Sequence, residues 1–371
     1  MDKQEIIFLD FYKEENDIWF IDYLSGILCT YNLKAETISL ITELPVSYEF
    51  EQYRSLYIAN GKVYLPPLFA KDLIIYDINL KHIKKISLSK YTKCYKPNFI
   101  EIYEYKNFLF CIPMSAKGIL RINTLNDEIN VFDGFFKYIN VPKETDRPIF
   151  RRSGLFKETI YLATCNGNKM ISFNMLTCNF TLTNIMDDKN DGYSSCCCGE
   201  SEIALISYDG SNAIILDKHM NTTDILDLKG KDRYAMDLVT KNIVIHIGCR
   251  GNGKAKVINL KNKTLEIISL DTGKKKTDIA KYYPENSFTF FAKIIHEKIW
   301  LYSTGRNSVC VFDLAGNKLK EYQFNIMSED VYKIIKRKGE RFRQSISADN
   351  KLMYQEDYIN NLNVFIAAIT K

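Results

Sequence analysis

The sequence is poor in the residues that interrupt regular structure, because its 371 residues include only 17 glycines and 8 prolines. A chain of this composition is not expected to be disordered or dominated by loops. It also has no apolar run of about 18 residues, the length that a membrane-spanning helix requires. The opening residues, MDKQEIIFLDFYKEEND, lack the basic and then apolar segments of a secretory signal peptide. We therefore expect a folded protein with no membrane partner.

Charge of one sign is not in large excess either. The sequence has 50 basic and 45 acidic residues, and the resulting net charge of +5 is dispersed, so we expect no nucleic-acid partner. The ten cysteines show no regular spacing. In a chain without a signal peptide such cysteines are expected to be reduced thiols, and the expected location is the cytoplasm.

What the sequence does contain is an internal repeat, in a chain rich in tyrosine (24) and phenylalanine (22), which favour strands. Seven segments each have two apolar runs separated by a small or polar loop. The first apolar residue lies 13 positions before a second one, as Ile18 precedes Tyr31, except in the sixth segment, which has two extra loop residues. The segments are 18–33, 63–78, 109–124, 160–175, 203–218, 243–260 and 299–314.

An Asn or Asp follows the second apolar run in every segment. These side chains accept hydrogen bonds from the backbone two residues further on and so begin turns. The second run is therefore predicted to be a strand that ends in a hairpin. The members of this Asn/Asp column are Asn32, Asp77, Asn123, Asn174, Asp217, Asn259 and Asp313.

Further apolar runs precede and follow each segment across turns of two to five residues, which is typical of hairpins. Each repeat thus predicts a four-stranded antiparallel meander, with strands A to D. Repeats of 40 to 56 residues match the blade of a β-propeller. We predict an all-β, seven-bladed β-propeller over residues 4–326. Strand B is predicted to be apolar on both faces, because a blade is covered by its neighbours.

The pattern changes after Phe324. The stretch SEDVYKIIKRK predicts a helix with Ser328 as its N-cap, and the apolar residues from Met353 to Ile369 follow a period near 3.6. We predict a C-terminal helical appendage over residues 327–371 that packs on the propeller. Binding of this segment to a partner is the alternative.

The last repeat, IWLYSTGRNSVCVFDLAGNKLKEYQF, resembles the YVTN-type repeat of seven-bladed propellers, a WD40-like group that includes lactonases. The resemblance rests on its apolar-aromatic-apolar opening, its small loop and its V-x-V-x-D close. The Gly-Gly pair of kelch repeats, the Gly-His and Trp-Asp signals of WD40 blades and the Asp-box of sialidases are missing. The resemblance implies the fold and no particular activity, because many YVTN-like propellers have none known.

Arginines are predicted to gather on one face of the propeller, the face formed by the D–A connections and the B–C loops. The planar guanidinium suits carboxylate and phosphate groups. The alternative is that these arginines pair with nearby acidic residues and only line the loops. The predicted ligand-binding residues are Arg54, Arg151, Arg152, Arg233, Tyr234, Arg250 and Arg306.

Histidine, the commonest general base, is scarce, with four residues. His82, His219 and His296 fall in turns on the opposite face, and His246 lies on strand B of the sixth blade, where a satisfied buried histidine is predicted. Streptogramin-lyase-like propellers use histidine, a carboxylate and a metal at the channel mouth, and the sequence shows no such set. We predict no catalytic residue, metal or cofactor.

Three consecutive cysteines, Cys196 to Cys198 in SSCCCGE, are predicted to lie on strand A of the fifth blade. Neighbours on a strand point to opposite faces, so these thiols cannot converge on one metal ion. A small apolar side chain suits a crowded inner strand, and packing is the preferred interpretation. A vicinal disulfide or a reactive thiol is the alternative.

These observations predict a non-enzymatic binding module whose partner is a protein, a peptide or an anionic small molecule. A hydrolase or lyase acting at the same face, similar to lactonases or streptogramin lyases, is the alternative. A third hypothesis is a structural subunit of a larger assembly, with the C-terminal segment bound to a partner.

Overall fold

The computed structural model describes most of the predicted propeller. Its described residues form seven antiparallel sheets of four strands, and each sheet takes its strands from one continuous stretch of chain in sequence order. The predicted all-β, seven-bladed β-propeller fold is thereby confirmed. None of the described helices is long and apolar enough to cross a membrane. The described residues are 6, 8–22, 25–45, 53–92, 98–139, 148–185, 192–231, 235–248, 253–271, 289–303, 306–324 and 333–334.

The chain divides into two compact units, of which the first combines Met1–Ser87 with Asp271–Lys371. It holds blades 1, 2 and 7. Blade 1 comprises β1 (Phe11–Glu14), β2 (Asp17–Asp22), β3 (Ile27–Asn32) and β4 (Thr37–Glu43). Blade 2 comprises β5 (Tyr57–Ala59), β6 (Lys62–Leu65), β7 (Asp72–Asp77) and β8 (His82–Ser87). Blade 7 comprises β25 (Thr289–Ile295), β26 (Lys298–Ser303), β27 (Ser308–Phe312) and β28 (Lys318–Gln323).

The second unit, Leu88–Leu270, holds blades 3 to 6. It begins with the single helical turn α1 (Ser89–Thr92). Blade 3 comprises β9 (Phe99–Tyr105), β10 (Phe108–Pro113), β11 (Ile119–Asn123) and β12 (Ile129–Phe132), followed by a 3-10 turn (Phe136–Tyr138). Blade 4 comprises β13 (Ser153–Phe156), β14 (Thr159–Ala163), β15 (Lys169–Asn174) and β16 (Phe180–Asn184). Blade 5 comprises β17 (Tyr193–Cys198), β18 (Glu202–Ser207), β19 (Asn212–Asp217) and β20 (Thr222–Asp227). Blade 6 comprises β21 (Met236–Thr240), β22 (Ile243–Ile247), β23 (Lys254–Asn259) and β24 (Thr264–Ser269).

Burial distinguishes the strands within a blade. The second strands β2 and β18 have five buried residues in succession, so strand B is apolar on both faces as predicted. The fourth strands β8 and β24 instead contain only exposed and half-buried residues. Within the second unit, the first strands of successive blades contact one another, β13 against β17 and β17 against β21. Strand A is therefore the inner strand and strand D the outer edge.

The Asn/Asp column forms the turns that the sequence predicts. In blade 4, Asn174 Oδ1 accepts hydrogen bonds from the backbone N–H of Leu176 at 3.0 Å and of Thr177 at 2.9 Å. The same acceptor role recurs in the other six blades. One side chain per blade thus fixes the hairpin between strands C and D.

Blades 1 and 7 are joined inside the first unit by side chains. The ring of Phe8, just before β1, stacks on Tyr302 of β26 with the ring centroids 3.9 Å apart. The Tyr31 hydroxyl donates to the backbone oxygen of Gln323 at 3.0 Å. No strand from one end of the chain enters the sheet of the other end among the described residues, which agrees with the complete blades of the repeat pattern.

The predicted C-terminal helical appendage, 327–371, lies outside the described residues apart from Lys333 and Ile334, whose backbone is helical. The appendage and its boundary with the propeller at residue 326 stay predictions.

Candidate functional site

The predicted ligand-binding residues fall into three groups. Arg233, Tyr234 and Arg250 lie outside the described residues, and their role stays a prediction. Arg54 and Arg151 are half-buried. The remaining two, Arg152 and Arg306, have carboxylate neighbours, as the alternative interpretation of these arginines expects.

Arg306 is held by acidic residues of its own unit. Its Nη1 lies 3.1 Å from Glu321 Oε2, and its Nη2 contacts Asp271. Lys318 adds a second cation at 2.9 Å from the same Glu321 oxygen. Burial lowers the pKa of Arg306, but the two carboxylates outweigh burial, and its pKa lies above the usual value. The Arg306 guanidinium is thus part of a local network of ion pairs. A role of Arg306 in ligand binding stays a prediction.

Arg152 is paired less completely. It directly precedes β13, its side chain is 16% exposed, and its Nη1 lies 3.6 Å from Glu101 Oε1 on β9. Glu101 is the only carboxylate within 4.0 Å of this guanidinium among the described residues. The other Glu101 oxygen accepts from the Ser153 backbone N–H at 2.8 Å and from the Ser153 hydroxyl. A guanidinium has five N–H donors, so most of the donors of Arg152 are unused by this single long contact.

Next to Arg152 lies a buried carboxylate–imidazole pair. Asp237 and His246 are directly opposite each other on β21 and β22, with Oδ1 and Nδ1 2.7 Å apart. Their side chains are 2% and 1% exposed. The other imidazole nitrogen, His246 Nε2, is buried and has no hydrogen-bond partner among the described residues. The predicted buried histidine is therefore satisfied at one nitrogen only.

The Asp237 carboxylate is kept ionised by its neighbours. Burial raises its pKa, but the charges of His246 and Arg152 and a hydrogen bond from Ser195 outweigh burial, and the pKa lies below its ordinary value. An ionised carboxylate only accepts hydrogen bonds, so His246 Nδ1 donates across the 2.7 Å contact with Asp237 Oδ1.

Sequence reasoning missed Asp237 as the partner of His246, although a signal existed. The turn after Thr240 pairs that residue with Ile243. Counting three residues outward along each strand from this pair brings Asp237 opposite His246. A register counted from the hairpin would have identified the pair.

The three cysteines behave as the sequence predicts. Cys196 and Cys198 pack into the apolar cluster on one side of β17, and Cys197 packs into the cluster on the other side. Burial raises the pKa of Cys196 and of Cys197 well above the usual range. A Cβ on Gly154 of β13 would lie only 2.5 Å from Cys198 Sγ, so the two inner strands approach closely. The eight described cysteines are free thiols.

We call a set of five polar side chains on or next to strands A and B of blades 3 to 6 the inner polar cluster. The cluster offers the donors of Arg152, the buried Nε2 of His246 and two carboxylates within a single compact unit. No group of three His, Cys, Asp or Glu side chains that could hold a metal ion occurs in the part of the chain that the structure describes. The members are Glu101, Arg152, Ser195, Asp237 and His246.

The chain matches no protein-family model and no curated protein. Solved structures with a similar fold include virginiamycin B lyase from Staphylococcus aureus, with a TM-score of 0.58 and 14% identity over 80% of this chain and 91% of that one. Hsv2 from Kluyveromyces lactis has a TM-score of 0.51 and 11% identity over 87% of this chain and 100% of that one. The dihydro-heme d1 dehydrogenase NirN in complex with DHE has a TM-score of 0.54 and 8% identity over 88% of this chain and 69% of that one. At these identities the similarity shows the propeller fold alone.

Proposed function

We propose that this protein is a binding module that takes up an anionic group, a carboxylate or a phosphate, at the inner polar cluster. The observation that supports this proposal is the single long contact of Arg152, 3.6 Å from Glu101. A guanidinium can bind a carboxylate or phosphate through two parallel N–H donors, which is stronger than one long ion pair. Arg152 is partly exposed and therefore accessible to such a group.

The partner is a protein, a peptide or a small molecule that presents the anionic group. Further binding residues in this proposal are those of the same unit, Arg151, Arg233, Tyr234 and Arg250. Arg54 and Arg306 belong to the first unit, and their role in binding stays a separate prediction. Free thiols at the eight described cysteines support a reducing location, the cytoplasm.

The proposal is tested by calorimetric titration of the full chain with inorganic phosphate, with succinate and with an acidic peptide. Replacing Arg152 by Gln is expected to weaken binding by about tenfold or more, because one charge-assisted, two-donor contact is lost. Lys157→Asn removes an equal charge from an exposed turn at the other end of β13 and serves as the control. Equal affinities for the Arg152→Gln variant and the unmodified chain would contradict the proposal. Which of the three titrants binds identifies the class of partner.

The second candidate function is a hydrolase or lyase at the same cluster. The observation that favours it is the Asp237–His246 pair, because a carboxylate-oriented imidazole with a free Nε2 is the arrangement of a general base. The lyase among the structures of similar fold makes this candidate worth testing. Turnover of a lactone panel that is lost in His246→Phe would support it, whereas saturable binding without turnover supports the binding module.

A further inference from the structure

We propose that Asn166 is a site of spontaneous modification, at which its carboxamide reacts with the backbone nitrogen of Gly167 and becomes an aspartate or an isoaspartate. The two residues lie in the B–C loop of blade 4, between β14 and β15. This inference does not depend on the proposed function, because it requires neither a ligand nor the inner polar cluster.

Asn-Gly pairs are the positions in the sequence where this reaction is least hindered, because glycine has no Cβ beside its backbone nitrogen. The sequence contains three such pairs, one of which includes Asn252, outside the described residues. The other two pairs are equivalent as sequence, and the structure distinguishes them. The three pairs are Asn60 with Gly61, Asn166 with Gly167, and Asn252 with Gly253.

The reaction is an intramolecular substitution at the Asn166 carboxamide. The Gly167 backbone nitrogen loses its proton to a base from the solvent and forms a bond to Asn166 Cγ, and the carboxamide nitrogen leaves as ammonia. A water molecule then opens the cyclic imide at either of its carbonyl carbons, which yields aspartate or isoaspartate. Overall, water is consumed, ammonia is released, and the side chain gains a negative charge.

Neither reacting group of this pair is engaged elsewhere. The Asn166 carboxamide and the Gly167 N–H have no hydrogen-bond partner among the described residues. Gly167 is exposed, and a Cβ added to it would meet no atom within 4 Å. Solvent therefore reaches the nucleophile, and no hydrogen bond has to break before the backbone nitrogen approaches the carboxamide.

The loop around the pair is closed by bonds that leave the reacting groups free. The Thr164 N–H donates to the backbone oxygen of Lys169 at 2.9 Å, and the Thr164 hydroxyl donates to the backbone oxygen of Gly167 at 3.1 Å. Neither bond uses the Asn166 side chain or the Gly167 N–H. The backbone at Asn166 can therefore turn toward the attack geometry while the flanking strands stay paired.

Asn60 and Gly61 are constrained instead. They form the two-residue turn between β5 and β6, in which Ala59 is directly paired with Lys62. Both turn residues have positive φ, 50° and 70°, as the turns favoured in two-residue hairpins require. The Gly61 backbone oxygen also accepts from the Ile78 N–H at 3.0 Å. Rotation at Asn60 toward ring closure would disrupt this turn, so we expect its reaction to be slow.

The experiment incubates the full chain at mildly alkaline pH and follows both sites by peptide mass spectrometry, which detects the exchange of ammonia for water. We expect Asn166 to react about tenfold faster than Asn60, a difference in activation free energy of about 1.4 kcal/mol. The same incubation in urea is the control. Unfolding removes both the loop and the turn, so the two sites should then react at similar rates.

An Asn60 rate equal to or above the Asn166 rate in the folded chain overturns the proposal. An Asn166 that stays intact in the folded chain, over a time in which both sites react in urea, also overturns it. Asn166→Gln serves as the matched variant, because its longer side chain closes the imide ring far more slowly. Its peptide should stay unmodified, with the Asn60 rate unchanged, and an undiminished mass change would assign the reaction to Asn168 and refute the proposal.

Discussion

His246 and Asp237 occupy opposed positions on two strands of one hairpin, and this placement decides what each side chain can do. The imidazole compensates the buried carboxylate, and the carboxylate orients the imidazole ring by accepting a hydrogen bond from Nδ1. Breaking such a buried pair is costly, because the remaining group is left buried without compensation.

The residue-scale prediction concerns the pH dependence of stability. The pKa of Asp237 is lower in the folded protein than its ordinary value of about 3.9, so its contribution to stability is full above that pH. The contribution is lost as the pH falls through the folded pKa. Asp237→Asn is expected to lower the free energy of unfolding by about 3 kcal/mol at neutral pH. The difference from the unmodified chain should shrink as the pH falls below about 4, as measured by urea denaturation.

Glu128→Gln, which removes an exposed carboxylate from the second unit, serves as the control for the change in charge. A stability difference for Asp237→Asn that does not shrink at all as the pH falls below about 4 would refute this account of the buried pair.

The hairpin between strands C and D depends on one polar side chain in each blade. Asn174 is an instructive case, because its Oδ1 accepts from two backbone N–H groups and from the Thr177 hydroxyl at 3.2 Å. These contacts lie at the surface of the blade, so they guide the chain into the turn at little cost in desolvation.

The element-scale prediction uses this turn. Asn174→Ala removes the acceptor and is expected to lower the free energy of unfolding by about 1 kcal/mol. Asn174→Asp retains the acceptor oxygen and should leave the free energy of unfolding nearly unchanged, as measured by thermal and urea denaturation. If both variants lose the same stability, the hydrogen bonds are not the reason for the Asn/Asp column.

The elements were predictable from the sequence because their causes are local. Apolar runs, short turns and the Asn/Asp column all act within one repeat, and they placed the four strands of every blade. The inner polar cluster was only partly predictable, since Arg152 was recognised by its position while its contact with Glu101 joins two blades. Contacts between blades depend on side-chain direction across an interface, which no spacing within a repeat encodes.

At the scale of the whole molecule, the ends of the chain meet in the first unit. Phe8 is fully buried there, and besides Tyr302 it contacts Phe20 and Phe324, with centroid distances of 4.7 and 5.5 Å. Lys293 Nζ lies 2.6 Å from Asp10 Oδ1 and adds an ion pair. The seam between blades 1 and 7 thus consists of an aromatic cluster bordered by polar contacts.

The prediction at this scale is that the seam carries a large share of the stability. Phe8→Ala is expected to lower the free energy of unfolding by about 3–5 kcal/mol, the cost of emptying a buried aromatic position. Phe8→Leu fills most of the space and should lower the free energy of unfolding by clearly less than Phe8→Ala does. Urea denaturation with fluorescence detection measures the free energy of unfolding of both variants. A loss below about 1 kcal/mol for Phe8→Ala would show that contacts other than those of Phe8 stabilise the seam.

The seam also has a consequence for synthesis on the ribosome. Tyr31 and Gln323, which it joins, are 292 residues apart in the chain. At translation rates of about 5–20 residues per second, the side of blade 1 that receives blade 7 waits on the order of tens of seconds for its partner. Each sheet can form from its own stretch as it emerges, but the aromatic surface around Phe8 has no cover until the last blade is made. A nascent chain is therefore most exposed to aggregation and to chaperones at its oldest blade.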